Sequence, residues 1–525
     1  MTDEKKLIVI GLDGGTFKLI KPWITKDSLP NIAKLMKNGV YGTLKSTMPP
    51  ITFPAWPSFM TGCNPGKHGI HGFVHESRVY TYKDLKVKAF WDILGKRGFT
   101  SLVVNVPLTY PPHIINGIMI ASDMLSQEES YAYPPKIEYK LNEINFIPYI
   151  DSNTMKTLRS SGSQNKLYSL IEKKTVATLM LADEYNFDLI VLVYREPDIF
   201  SHIFWHDKKR IKRVYKLIDK EIGHITTKYP KANYILMSDH GFSDFEKQIN
   251  VNQFLYQLGY LNRKKIVPEL SSEKSGRIMN TNKYKLSLWF KDFFEKIGLT
   301  QEKVIKNLPS SIIKLIRAII PENIRRSLPS TNLMIDIENS KAFMPSNEGF
   351  GIRINRENLH DYDKFRDELI EKLGELKDPE YNQKVFEWVK RREEVYSGKY
   401  VDNALDIMLK PKNEYLLSRC WGIDVIEKND LYYHDFEGIF IASGPEFKRD
   451  EIIKNAEIID IAPTVLHFFD LPIPNYMDGR VLKEIFGEKT DSAKREVEYA
   501  DISYYKDERI RIKHMIEDLK FEKRI

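Results

Sequence analysis

The chain reads as an α/β protein: a central, mostly parallel sheet flanked by helices, with a helical insertion. Three observations predict this. Apolar, β-branched runs such as LIVIGL, DLIVLVY and YILMSD alternate with amphipathic stretches such as RVYKLIDKEIGHITTKY, the pattern of successive βαβ units. The runs are apolar at every position, as strands covered on both faces are. At 525 residues and 42% hydrophobic content, the chain can bury one large core plus an accessory element.

In chain order, LIVIGL is the first strand and PNIAKLMKNG a helix. SLVVNV is the next strand, and KLYSLIEKKTVATLMLADEYN a long helix leading into DLIVLVY. RVYKLIDKEIGHITTKY then precedes YILMSD. Residues 1–262 are therefore expected to form the first part of the core. Residues 341–480, with the strand GIFIAS and the helix IDIAPTVLHFF, form its second part. Residues 481–525 are a charged tail, and no tandem repeat interrupts this plan.

The net charge of +7 is concentrated in one place. Between Arg263 and Pro329 there are 15 Lys/Arg against 6 Asp/Glu, an excess of +9 that leaves the remainder near −2. This stretch contains LSLWFKDFFEKIG and SSIIKLIRAIIPENIRRSL, with helix-period apolar stripes beside basic residues. Residues 263–340 are thus expected to be a basic helical insertion. A helical pair packed on the core is the plain reading, and a peripheral membrane contact through 283–326 is the functional alternative. Nucleic acid is not an expected partner. The sequence has neither an apolar run of about 18 residues nor a signal peptide, so a cytoplasmic location is expected. With two cysteines, Cys63 and Cys420, a thiolate metal site is excluded, and any metal must rely on Asp and His.

Such residues stand in four short segments. Asp13 follows LIVIGL, Asp198 and His202 lie in VYREPDIFSHIFW, Asp239 and His240 end NYILMSDH, and His434 precedes FEGIFIAS. Open α/β sheets place their chemistry beyond the strand carboxyl ends. Six oxygen and nitrogen donors there suit two divalent ions, zinc first and manganese second. Asp198 and His202 are four apart, so a helix beginning near Pro197 puts both on one face. Asp239 and His240 can share a target at a strand-to-loop turn, which Gly241 is expected to permit. Taken singly, Asp13 reads as a cap, the PDIFSH segment as a capped helix and SDHG as a turn. Their joint occurrence, each after a strand, points to chemistry.

The nucleophile candidate is Thr52 in PPITFPAWPSFMTG, where prolines stiffen the approach and a helix begins. A hydroxyl there faces backbone N–H groups, a suitable seat for an anionic ester. A neighbouring metal could supply the alkoxide. His68, His71 and His75 are expected in a loop beside the site, His206 at its periphery, and His467 in the core. The only cations expected to approach Thr52 are Lys45 and Lys67, since no arginine precedes Arg78.

These segments resemble the alkaline phosphatase superfamily, and within it the type I phosphodiesterase/nucleotide pyrophosphatase family, including its uncharacterised microbial phosphohydrolases. The order of motifs carries the resemblance: the aspartate after the first strand, TFP followed by TGCNPGKHGI, PDxxxH, SDHG, the late histidine, and NVPLTYPP. The resemblance implies an alkaline-phosphatase-like sheet and a metal-dependent phosphohydrolase acting on small phosphodiester or pyrophosphate substrates through a phospho-threonine. Asp13, Thr52, Asp239 and His240 would hold one metal, and Asp198, His202 and His434 the other. The family's nucleotide pyrophosphatases have an asparagine where this chain has Phe73, so Asn105 or the Thr52 N–H is expected to hold the phosphoryl oxygen. Related superfamily hydrolases or transferases acting on phosphomonoesters, phosphonates, sulfates or lipid head groups are the alternative, with a non-catalytic binding protein third. All seven metal positions carry residues able to bind metal, which speaks against the last.

Overall fold

The computed structural model describes residues 5–75, 78–122, 130–264, 335–422 and 424–501. The region 283–326, most of the expected insertion and residues 502–525 of the expected tail lie outside them. Among the described residues no helix is long and apolar enough to cross a membrane.

The apolar runs become a ten-stranded sheet. Its strands are β1 (Leu7–Leu12), β2 (Gly39–Lys45), β3 (Ser101–Val104), β4 (Gly117–Ile120), β5 (Ala132–Tyr133), β6 (Leu189–Tyr194), β7 (Asn233–Met237), β8 (Glu437–Ser443), β9 (Glu451–Ile452) and β10 (Ala456–Glu457). Their order is β9-β2-β8-β7-β1-β6-β3-β4-β5, with β10 also on β2. From β7 to β4 every neighbouring pair is parallel. β8 runs antiparallel to both β7 and β2, and β5 antiparallel to β4. The sheet is thus mostly parallel, as its apolar strands require.

Side chains of each central strand alternate between two cores. Leu7 and Val9 of β1 join Leu189, Val191 and Val193 of β6 on one face; Ile8, Ile10 and Leu12 join Ile190, Leu192 and Tyr194 on the other. Helices cover both faces, which explains why the central strands β1, β6 and β7 are buried along their whole length. The second face receives α1 (Phe17–Ile24), α2 (Pro30–Lys37), α5 (Ser161–Glu184), α6 (Glu196–Phe204) and α7 (Lys208–Lys228). The first receives α3 (Thr52–Thr61), α4 (Phe90–Lys96) and α8 (Ile461–Phe468). Helix starts are set locally: Thr16 caps α1, Ser160 caps α5, Asp207 caps α7, and Pro30 occupies the first turn of α2.

One glycine fixes how closely α3 approaches the sheet. A Cβ on Gly11 of β1 would lie 2.4 Å from Trp56 Cη2, so the fully buried Trp56 is seated against bare backbone. This seats the helix that begins at Thr52 directly on the strand that ends before Asp13.

The chain divides into two compact units. The first holds the ten-stranded sheet and consists of the described residues up to Ser243, Tyr396–Ala404, and those from Tyr432 onward. The second, Asp244–Val395 with Leu405–Leu431, contains a four-stranded antiparallel sheet and the helix Tyr362–Gly374. Residues 341–480 therefore contribute to both units. In the second unit Asn262–Arg263 pairs antiparallel with Ile335–Asp336, so the described flanks of the insertion lie side by side.

Candidate metal centre and nucleophile

Three adjacent parallel strands end at one place and deliver the acids. Asp13 follows β1 and continues its ladder, its N–H donating to Tyr194 O at 2.9 Å. Beyond β6, α6 opens with Glu196, and Asp198 and His202 stand one turn apart on it. Glu196 is fully buried and paired to Lys174 of α5 at 2.9 Å, which ties the start of α6 to the helix behind it. Beyond β7, the Ser238 hydroxyl donates to Gly15 O at 2.8 Å and accepts the Ile439 N–H at 2.8 Å. Ser238 therefore sets Asp239 and His240 against the loop that carries Asp13.

Gly14 completes this stitching. Its N–H donates to Asp239 Oδ1 at 3.2 Å, its φ is +66°, and a Cβ there would lie 3.0 Å from Asp198 Cβ. A residue with a side chain would be strained in both respects. Gly241 plays a different part from the expected turn: it opens a strand, and an added Cβ would fall 2.1 Å from Glu437 O. Close backbone approach, not a left-handed conformation, requires glycine there.

The histidines arrive with defined tautomers. His240 Nδ1 lies 3.0 Å from Gly241 O and His434 Nδ1 3.2 Å from Pro50 O, so each Nδ1–H donates to a carbonyl and each Nε2 keeps its lone pair. Those Nε2 atoms face the acids. His434 Nε2 is 3.2 Å and His202 Nε2 3.3 Å from Asp198 Oδ1, with 2.8 Å between the two nitrogens. His240 Nε2 is 3.3 Å from Asp239 Oδ2, 3.6 Å from Asp13 Oδ1, and 3.4 Å from Thr52 Oγ1. Thr52 is the first residue of α3, so its N–H and that of Phe53 have no partner within the helix. The structure thus brings together all seven residues expected from sequence as metal ligands.

The electrostatics of this cluster call for a cation. Burial, then the neighbouring Asp239 and Asp198, push Asp13 well above the ordinary carboxylate range; burial, then Asp198, does the same to Asp239. For Asp198 burial also pushes upward, but the adjacent His202 and His434 outweigh it and hold the carboxyl well below that range. His434 is pushed down to about 3, first by burial and then by the His240 ring beside it. Asp13 Oδ1, Asp198 Oδ1 and Asp239 Oδ2 are buried acceptors without a hydrogen-bond donor. Two sets lie within ligating distance of a common point: Asp198, His202 and His434; and Asp13, Asp198 and His240. Orphaned carboxylate oxygens facing imidazole lone pairs are a donor set that fits divalent metal ions.

Other expectations resolve as follows. Asn105, just beyond β3, is buried and donates its side-chain amide to Val193 O of β6 at 3.0 Å, bracing the sheet end. Lys67 and Lys45 are paired with Asp478 and Glu457, at 2.6 and 2.7 Å. The cation at the site is instead Arg195, whose Nε lies 3.8 Å from Asp13 Oδ2. Counting from Thr52 along the sequence missed it, because the topology brings the end of β6 beside the end of β1. Buried His68 bonds Ser58 at 3.0 Å, His71 bonds Tyr400 O at 2.9 Å, and His467 bonds Ser492 O at 2.8 Å, all scaffold contacts. Phe73 packs on Phe53 with ring centroids 4.7 Å apart, Phe53 lying in the core beneath α3 and Phe73 partly buried against it.

No curated protein matches the sequence. Among solved structures, human ectonucleotide pyrophosphatase/phosphodiesterase 5 is similar, with a TM-score of 0.51 and 15% identity, over 92% of this chain and 100% of its own. Phosphonoacetate hydrolase from Sinorhizobium meliloti 1021, in complex with phosphonoformate, aligns with a TM-score of 0.50 and 13% identity, over 88% of this chain and 94% of its own. These likenesses identify an alkaline-phosphatase-like fold. The family model described as type I phosphodiesterase / nucleotide pyrophosphatase matches residues 7–438, a span that contains every residue of the cluster. The chain is therefore a hydrolase of phosphoric ester bonds, a member of the type I phosphodiesterase / nucleotide pyrophosphatase family within the alkaline phosphatase superfamily.

Proposed function

We propose that the protein hydrolyses small phosphodiester or pyrophosphate substrates with Thr52 as nucleophile. The observation that carries this reading is the convergence of three buried, donor-less carboxylate oxygens on the imidazoles beside the Thr52 hydroxyl. Divalent cations, zinc or manganese, held by Asp13, Thr52, Asp239 and His240 and by Asp198, His202 and His434, would lower the hydroxyl pKa and neutralise charge on the phosphate. Thr52 Oγ1 attacks phosphorus, the bond to the leaving oxygen breaks opposite it, and a phospho-threonine forms. Water then attacks the same phosphorus, releasing Thr52 and the phosphate product. The free N–H groups at the start of α3 face the negative charge that develops beside Thr52.

We attribute a preference for diesters to the partly buried Phe73 ring, packed on Phe53 at the start of α3, which would accept an organic group more readily than a further charged oxygen. Arg195 opposes it, since a guanidinium beside Asp13 adds positive charge that favours a further charged oxygen. The test compares kcat/KM for matched aryl mono- and diesters, in wild type and Thr52→Ala. Diester turnover above monoester turnover, lost with Thr52 while fold and metal content remain, supports the reading. A clear monoester preference points instead to a phosphomonoester or phosphonate hydrolase of the same superfamily.

A further inference from the structure

A groove of about 410 Å³ adjoins the site on the first unit, walled by Arg159, Phe204, His206, Asp207, Arg210 and Tyr432. Its walls extend the elements that carry two of the histidines. Phe204 and His206 follow His202 along the chain, and Tyr432 lies two residues before His434 in the strand Ile426–Asp435, on the same face. Contacts run in sequence from the nucleophile to His202, and from His202 through the Phe242 ring, at 5.1 Å, to Tyr432 of the groove, at 6.2 Å. Thr52 touches His240, His240 stacks on His434 with centroids 3.8 Å apart, and His434 meets His202, whose side chain is 35% exposed.

The groove concentrates positive charge on aromatic surface. The guanidinium of Arg210 lies 4.8 Å and that of Arg159 5.9 Å from the Phe204 ring centroid, so two like charges converge on one ring. The lining holds one carboxylate: Asp207 pairs with Arg210 Nε at 2.8 Å and caps α7. One acid for two guanidiniums leaves the lining cationic, and Lys208, Lys209, Lys212 and Arg213 add to the field at the start of α7. His206 meets Tyr432 edge-on at 5.0 Å and closes the opposite wall.

We infer that this groove is a subsite for a second anionic group, a phosphate monoester, carried on the leaving alcohol of the substrate. In-line displacement places the leaving group opposite the attacking oxygen, and the groove lies beyond His202 and His434, at the far end of the site from Thr52. Arginine forks recognise phosphate oxygens in pairs, which suits two guanidiniums above one ring. The inference rests on the diesterase reading and deepens it: the cleaved bond joins phosphorus to an alcohol that is itself phosphorylated.

The test compares two aryl diesters that differ only in a phosphate monoester on the leaving phenol, with wild type and Arg159→Ala/Arg210→Ala. Wild type should favour the phosphorylated leaving group through a lower KM. The double variant should lose about tenfold of that preference and keep its turnover of the diester that lacks the added phosphate. In parallel, calorimetry measures binding of the phosphorylated phenol alone to Thr52→Ala protein with and without the arginine changes, with about tenfold weaker binding expected without them. Equal KM for both diesters in wild type, or a preference and affinity unchanged in the double variant, overturns the subsite. If neither diester is hydrolysed but phenol binding depends on the arginines, the subsite stands and the diesterase reading falls.

Discussion

The imidazoles of His240 and His434 stack with ring centroids 3.8 Å apart and 20° between their planes. They lie 194 positions apart in the sequence, and each is locked by an Nδ1–H bonded to a carbonyl. Two imidazolium charges this close would repel, and His434 is correspondingly held down to about 3 by burial and by His240. The Nδ1 bonds leave both Nε2 atoms facing the acids, so the pair is a preformed donor set.

His434→Ala should accordingly lower bound metal from about two ions per chain to about one, since it is assigned to the set with Asp198 and His202. Turnover should fall by at least 100-fold with the melting temperature of the metal-free protein little changed. Elemental analysis of the dialysed variant checks this; two retained ions would remove His434 from the ligand set.

The buried pair Lys174–Glu196 supports the site from behind. Both side chains are fully buried at 2.9 Å, and Glu196 opens the helix that carries Asp198 and His202. Lys174→Met strands the carboxylate and should cost about 3–5 kcal/mol, read from chemical denaturation. Adding Glu196→Leu should recover most of that loss, because replacing both partners leaves no uncompensated charge.

His68 should make the fold acid-sensitive without touching the chemistry. Burial, then the neighbouring His71, pushes it well below the ordinary histidine range, and Nδ1 accepts the Ile70 N–H, so the folded protein keeps this ring neutral. Its contribution is complete above the unfolded pKa near 6.5 and is lost as pH falls below it, by about 1.4 kcal/mol per pH unit. His68→Gln should be less stable at neutral pH yet show a shallower loss of unfolding free energy from pH 6.5 downward. An unchanged slope would mean that His68 takes up a proton in the folded state.

Much of the site was legible in the sequence because its parts are local. A strand's apolar run, the acid that follows it and the four-residue step from Asp198 to His202 all lie within one window of the chain. The parallel core and the helices on its two faces follow from the same periodicities. What was not legible depends on topology. Arg195 reaches Asp13 only because β6 lies beside β1, and Gly14, Gly241 and Ser238 show their purpose only through close approaches between distant segments. The antiparallel second unit also escaped, since its strands Gly351–Ile354 and Ile407–Pro411 pair across more than fifty residues that hold a helix and another strand. The groove beside His202 was equally hidden: Arg159 and Arg210 read as ordinary surface charges until both are placed on Phe204.

The central claim is covalent catalysis by Thr52, and the stereochemical course at phosphorus tests it most directly. A diester made chiral at phosphorus is hydrolysed in isotopically labelled water and the configuration of the product is read. Each in-line displacement inverts the centre, so attack by Thr52 followed by water predicts net retention. Net inversion would mean that water attacks the substrate directly, and would contradict the account.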